Sequence, residues 1–454
     1  MSRLHGLAIV GPLLAVSLVY ACGGDDGVGA PIPEGDAGRD GAPGETDDGS
    51  TPGDGGGDAG SGTRSTVAVG DGFACVLGKD RRVSCWGRND VGQLGRDPAS
   101  TASCGTFPCS AVPEAVAGLA NVTRLVAGSD FACALDQARA LWCWGSNAKG
   151  QLARADLAPS FTPRKAIVDV VDVSAAGAHA CALGSDGFVR CWGENTCEIF
   201  GKTDDAVQTI PRQVQGVPQM AQISVGPDAI CGTKPDGLVL CWGADHRGSL
   251  GHDVDPSAPL CGAVPFDPVA KHVQAESNEL PIDRIAEVHI GAGVGCARRT
   301  DGVVLCWGDN EHGGLGQGLP ESTPHPRALE VPALKASALD LHGGTPCAIV
   351  GDRLLCWGAS PYGQLDTLGP DAGCGGAGCR PLAHPISGMM PVRHVWSGHG
   401  AIGAIKDDAT LWMWGQNDSA ELALPASDPA NEACATGSVC VPRPRQVTNA
   451  PALD

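Results

Sequence analysis

Several residue classes are scarce in this chain of 454 residues. Lysine and arginine together number 31 against 51 aspartates and glutamates, which gives a formal net charge of −20. Because an acidic surface repels the phosphate backbone, we do not expect a nucleic-acid or chromatin ligand. Only two tyrosines are present, Tyr20 and Tyr362. This scarcity argues against lyase chemistry that depends on a tyrosine.

Familiar catalytic signatures are also missing. The sequence has no Gly-x-Ser-x-Gly elbow, no phosphate-binding loop and no sialidase-type Asp box. Its 12 histidines do not recur at a fixed position beside a carboxylate. Acidic pairs such as Asp204-Asp205 and Asp407-Asp408 are interpreted as solvated turn charges. We therefore predict a protein that is not an enzyme, with no catalytic residues, no metal and no cofactor.

The chain contains one segment that recurs seven times. The first copy runs from Val67 to Gly95, VAVGDGFACVLGKDRRVSCWGRNDVGQLG. Starts that lie roughly 50 to 65 residues apart are typical of propellers and other repeat arrays. The later copies begin near Leu125, Val173, Ile223, Val288, Leu339 and Val395.

Each copy predicts two short strands around a turn. Asp-Gly between two apolar runs, as at Asp186-Gly187, is a strong hairpin signal because glycine accepts a positive φ. A Trp-Gly pair follows the second strand in every copy. Because a large ring recurs at one position, we predict that these tryptophans form a core between blades, with ligand stacking as the alternative. They are Trp86, Trp144, Trp192, Trp242, Trp307, Trp357 and Trp414.

The motif G-x-x-x-x-C-A-L…D-G…C-W-G-x-N-x-x-G-Q-L-G resembles the repeat of the regulator-of-chromosome-condensation family. The resemblance covers nearly all of residues 66–454 and implies an all-β, seven-bladed β-propeller. Copies three and seven depart from it, with Glu198-Ile199-Phe200 and Ala420-Glu421-Leu422 in place of Gly-Gln-Leu. Exported bacterial members of the family, including a propeller-type inhibitor of β-lactamase, share the repeat. The contact residues of that inhibitor cannot be transferred to this chain.

Ring closure is predicted from a second strand-like element between copies. This element, Pro-x-x-apolar, occurs for the last time at Pro444–Val447 with no copy after it, and none precedes the first copy. Pairing of the C-terminal strand with the N-terminal hairpin would account for both observations and would leave no naked sheet edge. We therefore predict circular closure by the C-terminal strand.

Three segments are predicted along the chain. Residues 1–22 resemble a lipoprotein signal, because a short apolar run leads to Val19-Tyr20-Ala21-Cys22, in which Cys22 would accept the lipid. Ordinary signal-peptide cleavage is the alternative. Residues 23–64, with ten acids and two arginines, are predicted to be a disordered linker. Residues 65–454 are predicted to form the propeller, and we expect a membrane-anchored monomer at the outer membrane or surface of a Gram-negative bacterium.

The 21 cysteines leave an even number once Cys22 is set aside, which indicates a disulfide framework in an exported chain. Twelve of them form pairs that are symmetric about the hairpin turns. The seventh copy has Gly403 and Met413 at these two positions, so both thiols are missing together. The predicted pairs are Cys75/Cys85, Cys133/Cys143, Cys181/Cys191, Cys231/Cys241, Cys296/Cys306 and Cys347/Cys356.

Eight cysteines lie in the segments around and after the Gly-Gln-Leu-Gly position. Those segments also carry the length variation between copies. Insertions confined to one position of a repeat map to one face, often the binding face. Protection of long loops from proteolysis is the other explanation for the staples. The predicted pairs are Cys104/Cys109, Cys374/Cys379, Cys434/Cys440 and a bridge Cys197/Cys261 between the loops after blades three and four.

These observations favour a non-enzymatic propeller that binds an unidentified protein through stapled loops on one face. The family name implies guanine-nucleotide exchange as an alternative, although predicted export and the acidic charge oppose it. A polysaccharide-binding or polysaccharide-cleaving propeller is the second alternative. Carboxylates with a tyrosine or histidine at the central channel would be the sign of that activity.

Overall fold

A computed structural model describes residues 66–104, 106–201, 206–255, 257–365, 378–425, 427–434 and 436–454. The predicted signal segment with Cys22, the linker and Cys374 lie outside the described residues. The described part of the chain is all-β apart from three short 3₁₀ helices, Pro98–Ser100, Thr196–Glu198 and His246–Gly248. No helix among these residues has the length and apolar character needed to cross a bilayer.

The strands form seven antiparallel sheets that follow one another along the chain as the blades of a ring. Blade 1 contains β1 Val67–Val69, β2 Phe73–Leu77, β3 Val83–Arg88, β4 Ala102–Cys104 and β5 Phe107–Ala115. Blade 2 contains β6 Val122–Ala127, β7 Phe131–Asp136, β8 Leu141–Gly145 and β9 Ser160–Ile167. Blade 3 contains β10 Val170–Ala176, β11 His179–Gly184, β12 Val189–Glu194 and β13 Val207–Gln213.

The other four blades repeat this arrangement. Blade 4 contains β14 Gln222–Val225, β15 Ala229–Thr233, β16 Val239–Ala244, β17 Leu260–Cys261 and β18 Val264–His272. Blade 5 contains β19 Ile285–Ile290, β20 Val294–Arg299, β21 Val303–Gly308 and β22 His325–Lys335. Blade 6 contains β23 Ala338–Asp340, β24 Cys347–Val350, β25 Arg353–Ala359 and β26 Cys379–Pro385. Blade 7 contains β27 Val392–Gly398, β28 Ala401–Lys406, β29 Leu411–Gln416, β30 Glu432–Ala433 and β31 Val439–Gln446.

The predicted seven-bladed fold is confirmed, and each predicted hairpin forms the two middle strands of a blade. In blade 1, for example, Cys75 lies opposite Cys85. The sequence analysis missed the inner strand that precedes each hairpin, such as β1. Its three residues are all buried, so it shows no alternation of apolar and polar side chains. The inner strands surround the central channel.

The prediction of closure by the C-terminal strand is wrong. β31 pairs with β29 of its own blade, where Val441 lies opposite Gly415, and it does not pair with the N-terminal hairpin. The Pro-x-x-apolar element is the outer strand of the blade whose hairpin comes just before it, because that connection is the shortest. The first hairpin therefore needs no such element before it. Blades 1 and 7 close the ring by packing, with Lys79 N donating to Ala452 O at 2.7 Å.

The tryptophans lie between blades, as the repeat predicts. All seven are fully buried, and each donates its indole N–H to a backbone carbonyl of a neighbouring blade. A buried indole N–H needs such an acceptor. Each tryptophan therefore fills the core between two blades and also fixes their relative position through this hydrogen bond. The acceptors for Trp86, Trp144, Trp192, Trp242, Trp307, Trp357 and Trp414 are the carbonyls of Glu421, Gln93, Gln151, Ile199, Ser249, Gly314 and Gln364, at 2.8–3.0 Å.

The glycine after each tryptophan is required by its backbone. Gly87 has φ 96°, a conformation that L side chains rarely adopt. A Cβ atom at Gly87 would also lie 2.4 Å from the carbonyl oxygen of Gly72. The third strand can therefore approach the preceding turn closely only when this position is glycine.

Candidate functional site

Two regions of the propeller could carry a function: one face of the ring and the central channel. Because neighbouring strands run antiparallel, the connection after the inner strand and the connection after the third strand emerge at the same end of each blade. In blade 1, Arg88 N donates to Gly72 O at 2.7 Å across these two connections. We call this end the loop face, and we call the end with the hairpin turns the turn face.

A side chain braces every loop that follows a third strand. In blade 2, Asn147 is fully buried, and its Oδ1 accepts the N–H of Leu152 at 2.9 Å. The same five-residue bond occurs in all seven blades, with Asn89, Asn147, Asn195, Asp245, Asn310, Ser360 and Asn417 as acceptors. The sequence analysis gave this position no role, although the recurring Asn three residues after Trp was a signal for it.

The hairpin disulfides have nearly constant geometry. The two cysteines lie opposite each other in the ladder, with a Cα–Cα distance of 4.1 Å in all six hairpins. They are 10 residues apart in five hairpins and 9 apart in the sixth, so the hairpin turns hardly vary in length. The bonded pairs are Cys75–Cys85, Cys133–Cys143, Cys181–Cys191, Cys231–Cys241, Cys296–Cys306 and Cys347–Cys356.

These twelve cysteines were predicted as disulfide partners, and the structure places them outside both candidate regions. All twelve are fully buried, and none lines the central cavity. Each pair instead packs in the apolar core between its own blade and the next one along the chain. The reason is that the tryptophan after the third-strand cysteine packs against the preceding blade, so the alternation of side chains along the strand turns the cysteine toward the next blade. The third-strand cysteines of this framework are Cys85, Cys143, Cys191, Cys241, Cys306 and Cys356.

The loop face carries the other disulfides that the structure describes: Cys104–Cys109, Cys434–Cys440 and the bridge Cys197–Cys261 between blades 3 and 4. The partner assigned to Cys379, Cys374, lies outside the described residues. Three short fifth strands accompany these staples: β4 pairs with β5, β17 with β18 and β30 with β31. The stapled segments thus also pair part of an outer strand that would otherwise be a free sheet edge.

The central channel contains a second regular network. Side chains of an inner strand accept backbone N–H groups of the next inner strand. Ile223 N donates to Asp172 Oδ2 at 3.3 Å, and Val225 N donates to Ser174 Oγ at 3.0 Å. These bonds satisfy donors on the channel side of β14 that no strand of its own blade can reach.

The same pattern continues around part of the ring. In blade 4, Gln222 accepts Val288 N at 3.1 Å and Ser224 accepts Ile290 N at 3.0 Å. In blade 5, Glu287 accepts Leu339 N at 2.9 Å. In blade 6, Asp340 accepts Ser397 N at 2.6 Å. We call this series, from Asp172 to Asp340, the acceptor ladder. It spans the four seams from blade 3 to blade 7.

The ladder is missing at the other three seams in the part of the chain that the structure describes. The equivalent positions hold Thr66 and Ala68, Arg124 and Val126, and His394 and Trp396. The wall of the channel is therefore chemically uneven.

Charged groups meet in the ladder sector. Arg124 pairs with Asp172, and Asp340 lies 3.6 Å from His342 Nδ1 and 4.0 Å from His289 Nδ1. Burial raises the pKa of Asp172 against the opposing effect of Arg124. Burial lowers and Asp340 raises the pKa of His342, with a net increase. The sequence analysis found no histidine–carboxylate cluster, because His289 of blade 5 lies far along the chain from Asp340 and His342 of blade 6.

No group of three or more histidine, cysteine or acidic side chains that could hold a metal occurs among the described residues. The loop face and the channel therefore differ in kind. The first is a set of braced and stapled loops, and the second is a small polar cavity.

Buried indoles, braced loops and hairpin disulfides define a seven-bladed β-propeller of stapled repeats. Two models of the regulator of chromosome condensation (RCC1) repeat match it, one over residues 65–93, 122–151 and 170–198 and the other over 82–135, 140–183 and 301–344. Over these residues the chain carries the RCC1 repeat.

Known relatives share the repeat over short stretches. Human E3 ubiquitin-protein ligase HERC2 is 28% identical over 143 residues, which is 29% of this chain and 3% of HERC2. Human probable E3 ubiquitin-protein ligase HERC6 is 35% identical over 89 residues, which is 19% of this chain and 8% of HERC6. The chain thus spans less than a tenth of the length of these relatives.

Solved structures share the fold over most of the chain. Prp20p from Saccharomyces cerevisiae superimposes with a TM-score of 0.65 at 19% identity, covering 81% of this chain and 85% of that one. Human WBSCR16 superimposes with a TM-score of 0.64 at 17% identity, covering 81% and 94%. At these identities the likeness shows the fold alone.

Proposed function

We propose that this protein is a non-enzymatic binding module that is displayed on a bacterial cell envelope and captures a protein partner with its loop face. One observation carries the proposal: the loops and disulfide staples that differ between blades lie on the loop face of the propeller rather than in the hairpin turns. The hairpin turns keep nearly one length, whereas the loop face carries the 3₁₀ helices and the staples that lie outside the hairpins. Loops ordered in advance lose less conformational entropy on binding.

The loop face also exposes apolar side chains that could serve as anchors. Leu157, Leu260 and Leu319 are 43%, 63% and 70% exposed and lie on three different loops. Large apolar anchors often carry most of the affinity of a protein interface. Prp20p, of the same fold, is known for its binding to Gsp1p and histones, and Kap60 has been solved bound to it, so the architecture is compatible with protein ligands.

The cysteine chemistry supports export. Nine disulfides occur among the described residues, and such a number is typical of proteins in an oxidising compartment. Attachment would then be through a lipid on Cys22. We expect the wild type to fractionate with membranes and Cys22→Ser to appear in the soluble fraction. Equal membrane retention of both proteins would contradict the lipid anchor.

The binding test compares two double variants of the full chain. Leu260→Asp/Leu319→Asp places charges on the loop face, and Val168→Asp/Met390→Asp places them at similarly exposed sites on the turn face. We expect the first to weaken capture of a partner cross-linked from the cell envelope at least about tenfold and the second to leave it unchanged. The reverse order of effects would move the interface to the turn face.

A further inference from the structure

The channel encloses a cavity of about 380 Å³ that inner strands of all seven blades line. This size falls in the range of small-molecule sites. Val171, 44% exposed, and the exposed Pro235 lie at its mouth on the turn face. A small molecule can therefore enter without passing the loop face.

One sector of this cavity presents backbone donors. In blade 1, Gly70 N donates to Phe73 O and Leu77 N to Thr66 O, so in the alternating antiparallel pattern Val67 and Val69 direct their N–H groups toward the channel. In blade 2, Gly128 N donates to Phe131 O, and Leu125 and Ala127 are placed in the same way. We call these four N–H groups the open sector.

No side-chain acceptor reaches the open sector among the described residues. The positions that would supply one are Thr66, Ala68, His394 and Trp396, where blades 3 and 4 carry the ladder residues Asp172, Ser174, Gln222 and Ser224. Buried backbone groups are almost always paired with protein, water or a ligand. One side-chain atom of the same cavity, Arg124 Nε, is also buried without a hydrogen-bond partner.

The other residues that line the cavity restrict the chemical class of the ligand. Asp172 and Asp340 are strong acceptors that repel an anion, while the positive charge of Arg124 opposes a cation. Hydroxyl groups both donate and accept, so they match unpaired donors on one side and carboxylates on the other. Val67, Val126 and Val173 add apolar contact, which suits the C–H face of a sugar ring.

We propose that the central cavity binds a neutral polyhydroxylated molecule of monosaccharide to disaccharide size, with its oxygens on the open sector and its hydroxyls on Asp172 and Asp340. The site is separate from the loop face. It does not depend on the proposed protein partner, and either activity can fail without the other.

The test uses the full chain with its disulfides intact. Glucose, N-acetylglucosamine and maltose are offered at millimolar concentrations and followed by saturation-transfer-difference NMR and calorimetry. Ala68→Ser places a hydroxyl where Ser174 and Ser224 stand in their blades, so it should occupy Ala127 N. We expect this variant to fold normally and to bind a recognised saccharide about three- to tenfold more weakly.

Asp340→Asn keeps an acceptor for Ser397 N and removes the charge, and it should also weaken binding. Val112→Asp on β5, the outer strand of blade 1, is the control and should bind like the wild type. Three results would overturn the proposal: no signal from any neutral saccharide, binding of acetate or phosphate instead, or unchanged affinity in Ala68→Ser. The first would mean that water alone satisfies the open sector.

Discussion

We expect Glu421 to make the stability of blade 7 depend on pH. It occupies the position of Gln93 in blade 1, whose Oε1 accepts Val91 N at 3.0 Å while its Nε2 donates to Asp90 Oδ1 at 3.0 Å. Glu421 Oε2 accepts Ser419 N at 2.7 Å. Its Oε1 is buried without a partner, because a carboxylate cannot donate as the amide does.

Burial raises the pKa of Glu421 to about 7, and the negative charges of Asp418 and Asp71 add to the shift. The unfolded value is 4.5. A carboxyl group whose folded-state pKa exceeds its unfolded pKa binds more protons in the fold. Its contribution to stability is therefore fully present below about pH 4.5 and is lost as the pH rises through about 7. The shift corresponds to about 3 kcal/mol.

Glu421→Gln introduces the amide that blades 1, 2 and 6 carry at this position as Gln93, Gln151 and Gln364. We expect it to stabilise the protein at pH 8 by up to about 3 kcal/mol, or about 4 °C in Tm, and to have little effect at pH 4.5. Gln93→Glu is the converse variant and should lose stability at pH 8, because its second oxygen would face Asp90. Calorimetric scans at both pH values measure these shifts. A Glu421→Gln shift that is the same at pH 4.5 and pH 8 would refute the reasoning.

Three further outcomes test the framework. Ser224→Ala removes the acceptor of Ile290 N, so it should lower the free energy of unfolding by about 1–3 kcal/mol, and an unchanged Tm would show that the ladder bond is dispensable. Cys197→Ser/Cys261→Ser opens a loop of 64 residues, a change worth about 4 kcal/mol in the chain-entropy model, and a wild-type Tm would contradict the bridge. Non-reducing peptide mapping should recover Cys75 joined to Cys85, and free thiols there would refute the hairpin pairs.

The sequence was sufficient to predict the blades because local signals and repetition agree in each copy. Asp186-Gly187 marks a turn, Cys181 and Cys191 mark its register, and Trp192 marks the interface to the preceding blade. Each of these signals acts over a few residues. The bridge Cys197–Cys261 was also predictable, because only two cysteines were left after the local pairs.

The missed features depend on neighbours in space. β1 has three buried residues and resembles any apolar run. Closure by β31 was predicted wrongly because the choice between a strand's own hairpin and a distant one depends on loop geometry that repeats do not encode. The cluster of His289, His342 and Asp340 joins blades 5 and 6, so the Asp340-x-His342 spacing reveals only its blade 6 half.

The acceptor ladder makes the covalent links between blades unequal in importance. Between blades 4 and 5, Gln222 and Ser224 bind the next inner strand, so that seam would stay sealed if the chain were cut between β18 and β19. Between blades 1 and 2 no side chain of the described residues binds the next inner strand in this way. The peptide connection from β5 to β6 therefore contributes more to holding these two blades together. A circularly permuted chain should therefore tolerate new ends between β18 and β19 better than between β5 and β6.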